Sequence, residues 1–468
     1  MQKILITLLL LGLVTRLSAQ SSAIDSLDKA FARLAEDGYL SGNLLLAEGD
    51  QILLRRSYGY ADFDGKVPLR EDAVLELASV SKQFTAAAVA LLVADGELDL
   101  DTPVAEYLPE LAAYPDLTTR HLVHHTGGLP DYMAAAGELE DLPEFITNTF
   151  VLEYLRDVRP AAEFSPGERF AYSNTGYVLL ASLIERVSGR AFDEFLRERL
   201  FEPLGMEDSQ VYRRRYEAER TVNRFVPGYV WDGEGYVIPD SLEEYAFVRT
   251  LDGVYGDGMV NSTLDDLYRW DRALAAGELL DTALLFRPGI TATGDTTTYG
   301  FGQGIGQHPD YGYTISHSGG WPGVVTHIYR FPHSDRVLIL LRNDGGGRDE
   351  RVNPLRNALR ALHGLPLEPE SLAPTRAGTV DPAAVKELEG VYAVSPAFKL
   401  TFFLAEDGRF MTQATGQPAF EIGKHSTADR YMLLKIAAEL QFQRNAAGKV
   451  TSVMLYQGGQ EIEAVREE

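Results

Sequence analysis

Apolar and polar positions alternate along this chain in several distinct regimes. Ile4 to Val14 is apolar except for Thr7, is preceded by Lys3, and is followed by Leu17-Ser18-Ala19. A basic start, an apolar run shorter than the ~18–20 residues that cross a bilayer, and a closing small residue predict a cleaved export signal over residues 1–19. Ile24, Leu27, Ala30, Phe31 and Leu34 then recur at helical spacing, which predicts an amphipathic helix from Ile24 to Asp37. Asn43 to Ala47 and Gln51 to Tyr58 are apolar-rich runs around Glu48-Gly49-Asp50, a hairpin pattern. Phe84, Ala87, Ala88, Leu91 and Leu92 share one face of a helix expected over Val80 to Ala94, with Gly96 as its stop.

From about Thr102 to Leu280 the pattern predicts helix and loop, including a helix from Thr175 to Ser188 closed by Gly189. After Tyr299 the period shortens. Tyr313 to His317, Val324 to Phe331 and Val337 to Arg342 read as three consecutive antiparallel strands. An early hairpin, helices in the middle and late strands predict one α+β domain over residues 24–364, with the early strands joining the late ones in a single sheet. Residues 365–382 are rich in Pro, Glu and Ala without periodicity and read as a linker. The runs Gly390–Val394, Leu400–Leu404, Arg409–Gln413, Tyr431–Lys435, Glu439–Arg444 and Val453–Tyr456 predict a small all-β domain, a barrel or sandwich, over residues 383–468.

Composition narrows the function classes. A length of 468 residues suits two or three domains. The chain has no cysteine, which removes disulfides, zinc–thiolate and iron–sulfur sites, a thiol nucleophile and a cysteine-borne lipid anchor. A formal net charge of −25 argues against nucleic acid as a partner, because that interaction needs a basic footprint. Removing the export signal takes Lys3 and Arg16 and no acid, so the remainder is more acidic still. After the signal no stretch is long and apolar enough to be expected to span a membrane.

Three short stretches carry candidate chemistry. In Ser79-Val80-Ser81-Lys82, at the start of a helix, the i, i+3 spacing stacks the hydroxyl and the amine on one face. The helix N-terminus favours a developing alkoxide, and a buried lysine of lowered pKa can take the serine proton. Phe170-Ala171-Tyr172-Ser173-Asn174 enters the next long helix; a tyrosine hydroxyl can share proton transfer, and an asparagine can orient the lysine and hold a substrate amide. Ile315-Ser316-His317-Ser318-Gly319-Gly320 closes a strand with small residues, leaving room for a substrate along its edge.

In that order the three stretches resemble the S-x-x-K, Y-x-N and K/H-[ST]-G motifs of the serine hydrolases related to class C β-lactamases and DD-peptidases. The stretches His125-Thr126-Gly127-Gly128-Leu129-Pro130, Ser165-Pro166-Gly167, Phe201-Glu202-Pro203-Leu204-Gly205-Met206 and Gly256-Asp257-Gly258-Met259 are similar to the family's text as well. The resemblance runs from about Ile24 to Leu362, with an accessory β-domain beyond. It implies a β-lactamase/transpeptidase-like fold: an antiparallel sheet flanked by helices, with an inserted helical domain and the active site between.

The resemblance further implies an acyl-enzyme on Ser79, with Lys82 and Tyr172 relaying the proton and backbone N–H groups of Ser79 and Gly320 holding the oxyanion. Asn174, His317, Ser318 and Gly319 would contact substrate. No metal or cofactor is implied. The substrate is a small molecule or peptide, with a D-amino-acid peptide, a β-lactam and a small ester all open. A catalytically inactive module that binds cell-wall peptide is the competing reading. The protein is expected to be periplasmic or secreted.

Two positions depart from the family's text. His317 stands where class C β-lactamases carry lysine, so a permanent cation is missing, and His125-Thr126-Gly127-Gly128 replaces a His-Thr-Ser-Gly stretch. His121, His124 and His125 match no zinc-binding spacing and read as structural histidines. Gly300-Phe301-Gly302-Gln303-Gly304 reads as a glycine-rich strand pressed near the site, not a nucleotide loop. Tyr255, Trp321 and Tyr311 fit either cleft lining or packing.

Overall fold

A computed structural model describes residues 2–138, 142–346, 353–368, 380–395, 398–405, 408–415, 419–424, 429–433, 438–445, 447–457 and 460–467. The chain divides into two compact units, Met1–Arg348 with Pro354–Leu367 and, chiefly, Glu368–Glu468.

The first unit is built on a six-stranded antiparallel sheet. Its strands are β1 (Gly42–Glu48), β2 (Gln51–Tyr58), β3 (Gly304–His308), β4 (Gly312–Trp321), β5 (Val324–Phe331) and β6 (Arg336–Arg342), in the order β3-β4-β5-β6-β1-β2. The early hairpin therefore joins the late strands, as its pattern predicts, with Leu45 opposite Ile339 and Leu46 opposite Leu338. Strand alternation sends Leu45, Ala47, Ile328, Val337, Ile339 and Leu341 into a core shared with Phe84, Tyr177 and Trp270. Leu44, Leu46, Leu338 and Leu340 point the other way and are buried too. A sheet buried on both faces needs helices on both. Helices α1 (Gln2–Glu36) and α5 (Pro354–Leu362) pack on one another and on the sheet, and α4 (Leu264–Ala276) packs on β6 and β1.

Helix α1 begins at Gln2 and is continuous through the segment expected to start a separate helix at Ile24. Among the described residues no helix is long and apolar enough to cross a membrane. Strand β4 extends four residues beyond the His317 expected as its end. Ser318-Gly319-Gly320 has little intrinsic strand preference, and pairing with Val325, Thr326 and His327 of β5 supplies what propensity lacks. Strand β3 was not foreseen; the glycine-rich stretch expected as a strand contributes only Gly304 to it.

Between β2 and β3 lie the helices α2 (Lys82–Ala94) and α3 (Asn174–Ser188). A small second sheet, Gln210–Val211, Val260–Ser262, Val74–Glu76 and Phe225–Val226, is also there. Strands of two or three residues are too short to show a period, so the sequence pattern does not reveal them. The sheet matters because Val74–Glu76 leads directly into Ser79.

The second unit is a closed eight-stranded barrel. Its interior is filled by side chains including Tyr392, Phe402, Phe410, Tyr431, Leu440 and Phe442. Two of the strands, Ala419–Lys424 and Gln460–Arg466, lie in stretches whose polarity hides them. Most of the expected linker falls outside the described residues, and its last residue, Pro382, starts a short helix, Pro382–Val385.

One buried ion pair fastens the end of the main sheet. Arg342 donates twice to Asp344, at 2.9 Å each, and Asp344 also accepts the backbone N–H of Ser41 at 2.8 Å where the chain enters β1. Both side chains are almost fully buried. Truncating one partner strands the other charge, so Asp344→Ala is expected to destabilise the first unit by about 3–5 kcal/mol. Trp231, Trp270 and Trp321 all lie in that unit. Urea unfolding followed by tryptophan fluorescence therefore reads it selectively, and a loss below about 1 kcal/mol would place this pair among the weak surface bridges.

Candidate active site

Ser79 lies in a 3-10 turn, Ala78–Ser81, that runs into α2 at Lys82. The eclipsed i, i+3 positions of such a turn bring the two side chains together more directly than an α-turn. The residue before the serine, Ala78, has a positive φ of 47°, which a non-glycine residue adopts only when its surroundings impose it. Those surroundings are visible. Leu77 N–H donates to Val260 O at 2.9 Å, Thr326 Oγ1 donates to Leu77 O at 2.7 Å, and Val260 N–H donates to Ser81 Oγ at 3.0 Å. Strand β4 presses on the same turn: a Cβ at Gly319 would lie 2.3 Å from Leu77 O and 2.3 Å from Thr326 Oγ1. Only glycine fits there, which explains the small residue in the third stretch.

Lys82 is fully buried. Its Nζ lies 3.2 Å from Ser79 Oγ, 3.0 Å from Asn174 Oδ1 and 2.7 Å from the backbone oxygen of Asp257. An ammonium has three donors, and these are three oxygens. A neutral amine has two donors and a lone pair. Of the three oxygens only the serine hydroxyl can donate, so the lone pair of a neutral Lys82 faces Ser79. The arrangement can thus hold the cation without an unsatisfied donor and, once neutral, receive the Ser79 proton.

Tyr172 flanks the lysine, its ring centre 5.1 Å from Lys82 Nζ, and is 44% exposed. Asn174 opens α3. The loop between them is held by His125, whose Nδ1 accepts the Ser173 N–H at 3.0 Å and whose ring lies 4.4 Å from that of Tyr172. Burial, with Lys82 and His317 nearby, pushes the His125 pKa well below its ordinary value.

His317 is buried beneath the strand edge. Its Nδ1 lies 2.6 Å from Ser318 O and its Nε2 2.8 Å from the Tyr299 hydroxyl. A carbonyl only accepts, so Nδ1 carries the proton and Nε2 takes the tyrosine hydroxyl. Burial, reinforced by Lys82, lowers the His317 pKa to about 3. The position therefore offers neither a cation nor a free ring nitrogen. Beyond the Ser316–Gly304 pair β3 ends, so His317 to Trp321 keep one edge unpaired by β3, with Ser318 and Gly320 exposed along it.

The structure thus brings Ser79, Lys82, Tyr172 and Asn174 to one place, and its strand β4 carries His317, Ser318, Gly319 and Gly320 past the serine turn. Sequence reasoning missed Tyr299, which caps His317, and Asp131, Tyr132 and Asp257 around Lys82. Gly256-Asp257-Gly258 was visible as family-like text but carried no role. The two neighbouring histidines have structural partners. His121 completes a capping box with Thr118, and His124 Nδ1 lies 3.2 Å from Tyr299 O. Tyr255 packs on Phe192 and donates to Glu185, Tyr311 stacks on His308, and Trp321 meets the exposed Phe247 edge-on.

Fold and constellation together define a serine hydrolase of the β-lactamase-related type. The profile of the Beta-lactamase family matches residues 27–362, and the chain belongs to that family. Penicillin-binding protein 4* of Bacillus subtilis (strain 168) is 37% identical over 448 residues, covering 94% of this chain and 98% of its own. Esterase EstB of Burkholderia gladioli is 30% identical, over 67% of this chain and 88% of its own. The D-amino acid amidase of Ochrobactrum anthropi SV3, solved with D-phenylalanine, superposes with a TM-score of 0.58 at 26% identity, over 73% of this chain and 99% of its own.

The low His317 pKa has a direct readout. With histidine labelled at Cε1, the His317 signal, identified by its loss in His317→Gln, is expected to keep its neutral-form shift from pH 8 down to pH 4. A midpoint near the ordinary value of about 6.5 would contradict the buried, Tyr299-capped ring.

Proposed function

We propose that this chain is an exported bacterial hydrolase that cleaves a small amide or ester through an acyl-enzyme on Ser79. The observation that carries the reading is the contact of Lys82 Nζ with Ser79 Oγ at 3.2 Å, with the other two amine contacts already taken by carbonyl oxygens. As Ser79 Oγ bonds to the substrate carbonyl carbon, its proton passes to Lys82. The carbonyl electron pair moves to oxygen and is held by backbone N–H groups. Ser79 supplies one, since the first N–H groups of a helical turn have no intrahelical acceptor. Gly320 supplies the other: its pair with Val325 is the one before the Trp321–Val324 pair that closes the two-residue turn Pro322-Gly323, and strand alternation turns its N–H to the free edge.

Collapse of the intermediate breaks the bond to the leaving amine or alcohol, which takes its proton from Lys82 through Tyr172. Water then attacks the acyl ester by the same route in reverse. Asn174 and the exposed Ser318 on the free edge of β4 hold the substrate, with buried His317 and Gly319 shaping that edge from behind.

Neutral His317 gives no cationic partner to a substrate carboxylate, which favours amides and esters over β-lactams. The esterase and D-amino acid amidase among the relatives point the same way, toward D-amino-acid amides and peptides or small esters. Export rests on the apolar Ile4–Val14 run ahead of Leu17-Ser18-Ala19.

A fluorophosphonate probe followed by peptide mapping tests the chemistry. A single adduct on Ser79 is expected, absent in Ser79→Ala. On a panel of p-nitrophenyl acetate, D-phenylalanine amide, a D-Ala-D-Ala peptide and nitrocefin, kcat/KM is expected to be at least about tenfold higher for the best amide or ester than for nitrocefin, the value of one lost ionic contact. No adduct and no turnover would support the inactive binding module instead. Activity that survives Ser79→Ala and dies with a chelator would overturn the mechanism.

A further inference from the structure

Lys82 can receive the Ser79 proton only if its lone pair faces Ser79, and that depends on which end of the Asn174 amide it meets. With Oδ1 toward the amine, Asn174 accepts. Turned over, its NH2 group would face Nζ, compete for the lone pair, and oppose a donor to a donor in the ammonium form. An asparagine side chain does not choose between these by shape, because its O and N are nearly isosteric.

The choice is made by Asp131. Its Oδ2 accepts from Asn174 Nδ2 at 3.2 Å and from the Asn174 backbone N–H at 3.1 Å, while its Oδ1 accepts the Met133 N–H at 2.9 Å. The carboxylate is an acceptor only, so the amide nitrogen must face it and the oxygen must face Lys82. Met133 Sδ, a weak acceptor 3.9 Å from Nδ2, points the same way. The neighbouring residue steadies a second oxygen around the lysine: the Tyr132 hydroxyl donates to Asp257 Oδ2 at 3.0 Å, and the Asp257 backbone oxygen accepts from Lys82. Thr175 closes the clamp, accepting the Tyr132 N–H at 2.8 Å and donating to Pro130 O at 2.8 Å.

We infer that Asp131 is a positioning residue for acyl transfer: it locks the Asn174 amide so that the Lys82 lone pair is directed to Ser79. The inference rests on the acyl-enzyme reading above. Asp131 also caps the short helix Tyr132–Glu138 through Met133, so loss of activity alone would not separate the two roles.

A double-mutant cycle separates them. The rate of Ser79 phosphonylation by the fluorophosphonate and kcat/KM for p-nitrophenyl acetate are measured in wild type, Asp131→Ala, Asn174→Ala and the double variant. Melting curves are recorded for each. Asp131→Ala is expected to lower both rates about 10- to 100-fold, as for a lost hydrogen bond to a charged group. In the Asn174→Ala background the same substitution is expected to cost less than about threefold, since there is no amide left to orient. Asp131→Ser keeps a good helix cap and loses the carboxylate, so it should fold like wild type and show the full loss. Equal losses in both backgrounds, or Asp131→Ser at wild-type rates, would overturn the inference. A wild-type protein that is not labelled at Ser79 would instead overturn the acyl-enzyme reading, and this inference with it.

Discussion

An ammonium group with no exposure to water must find an acceptor for every donor, and the first unit of this protein is arranged around meeting that demand at Lys82. The three oxygens come from three separate pieces of chain: the 3-10 turn before α2, the start of α3, and the loop that leads into Val260–Ser262. None of these is a sequence neighbour of another. The contact exists only when the sheet, the helices and the small second sheet are all in place, so the Ser79–Lys82 contact is a product of tertiary structure as a whole. The same three oxygens suit the charged and the neutral amine, which lets the proton count change without moving a side chain.

Holding backbone so close to a buried amine has local costs, and they collect here. Ala78, His125 and Met259 all have positive φ, and each belongs to a segment bordering the site. Such positions cost on the order of 1–3 kcal/mol each unless their surroundings over-determine them. Close approach is purchased with glycine: a Cβ at Gly302 would lie 2.4 Å from the Lys82 backbone oxygen, and one at Gly319 2.3 Å from Leu77 O. Within the glycine-rich stretch at 300–304, Gly302 is thus a packing feature against α2.

Much of this was legible in the sequence, for identifiable reasons. Ser79, Lys82, Tyr172, Asn174 and His317 stand in motifs whose spacing reflects local geometry, a helical turn or a strand end, and local geometry leaves a local trace. The hairpin of β1 and β2 and the long helices showed because their apolar periods span several residues. Asp131, Tyr299 and Asp257 did not show, because each acts on a residue far away in the chain, as Asp131 does on Asn174 and Tyr299 on His317. Nothing around Asp131 marks it as more than a turn acid before a short helix. Strand β3 and the far end of β4 were missed for a related reason: their glycine and polar residues are held in strand by pairing partners rather than by their own preference.

The central claim is that Lys82 serves as a proton acceptor and not merely as a positive charge. Lys82→Arg tests it most directly, because a guanidinium keeps the charge and its donors but does not give up a proton near neutral pH. The rate of Ser79 acylation by p-nitrophenyl acetate is measured beside a urea unfolding curve. Proton transfer through Lys82 predicts a fall of at least about 100-fold in acylation in a variant that still unfolds cooperatively. Acylation within about threefold of wild type would contradict it, and would leave Lys82 an electrostatic support only.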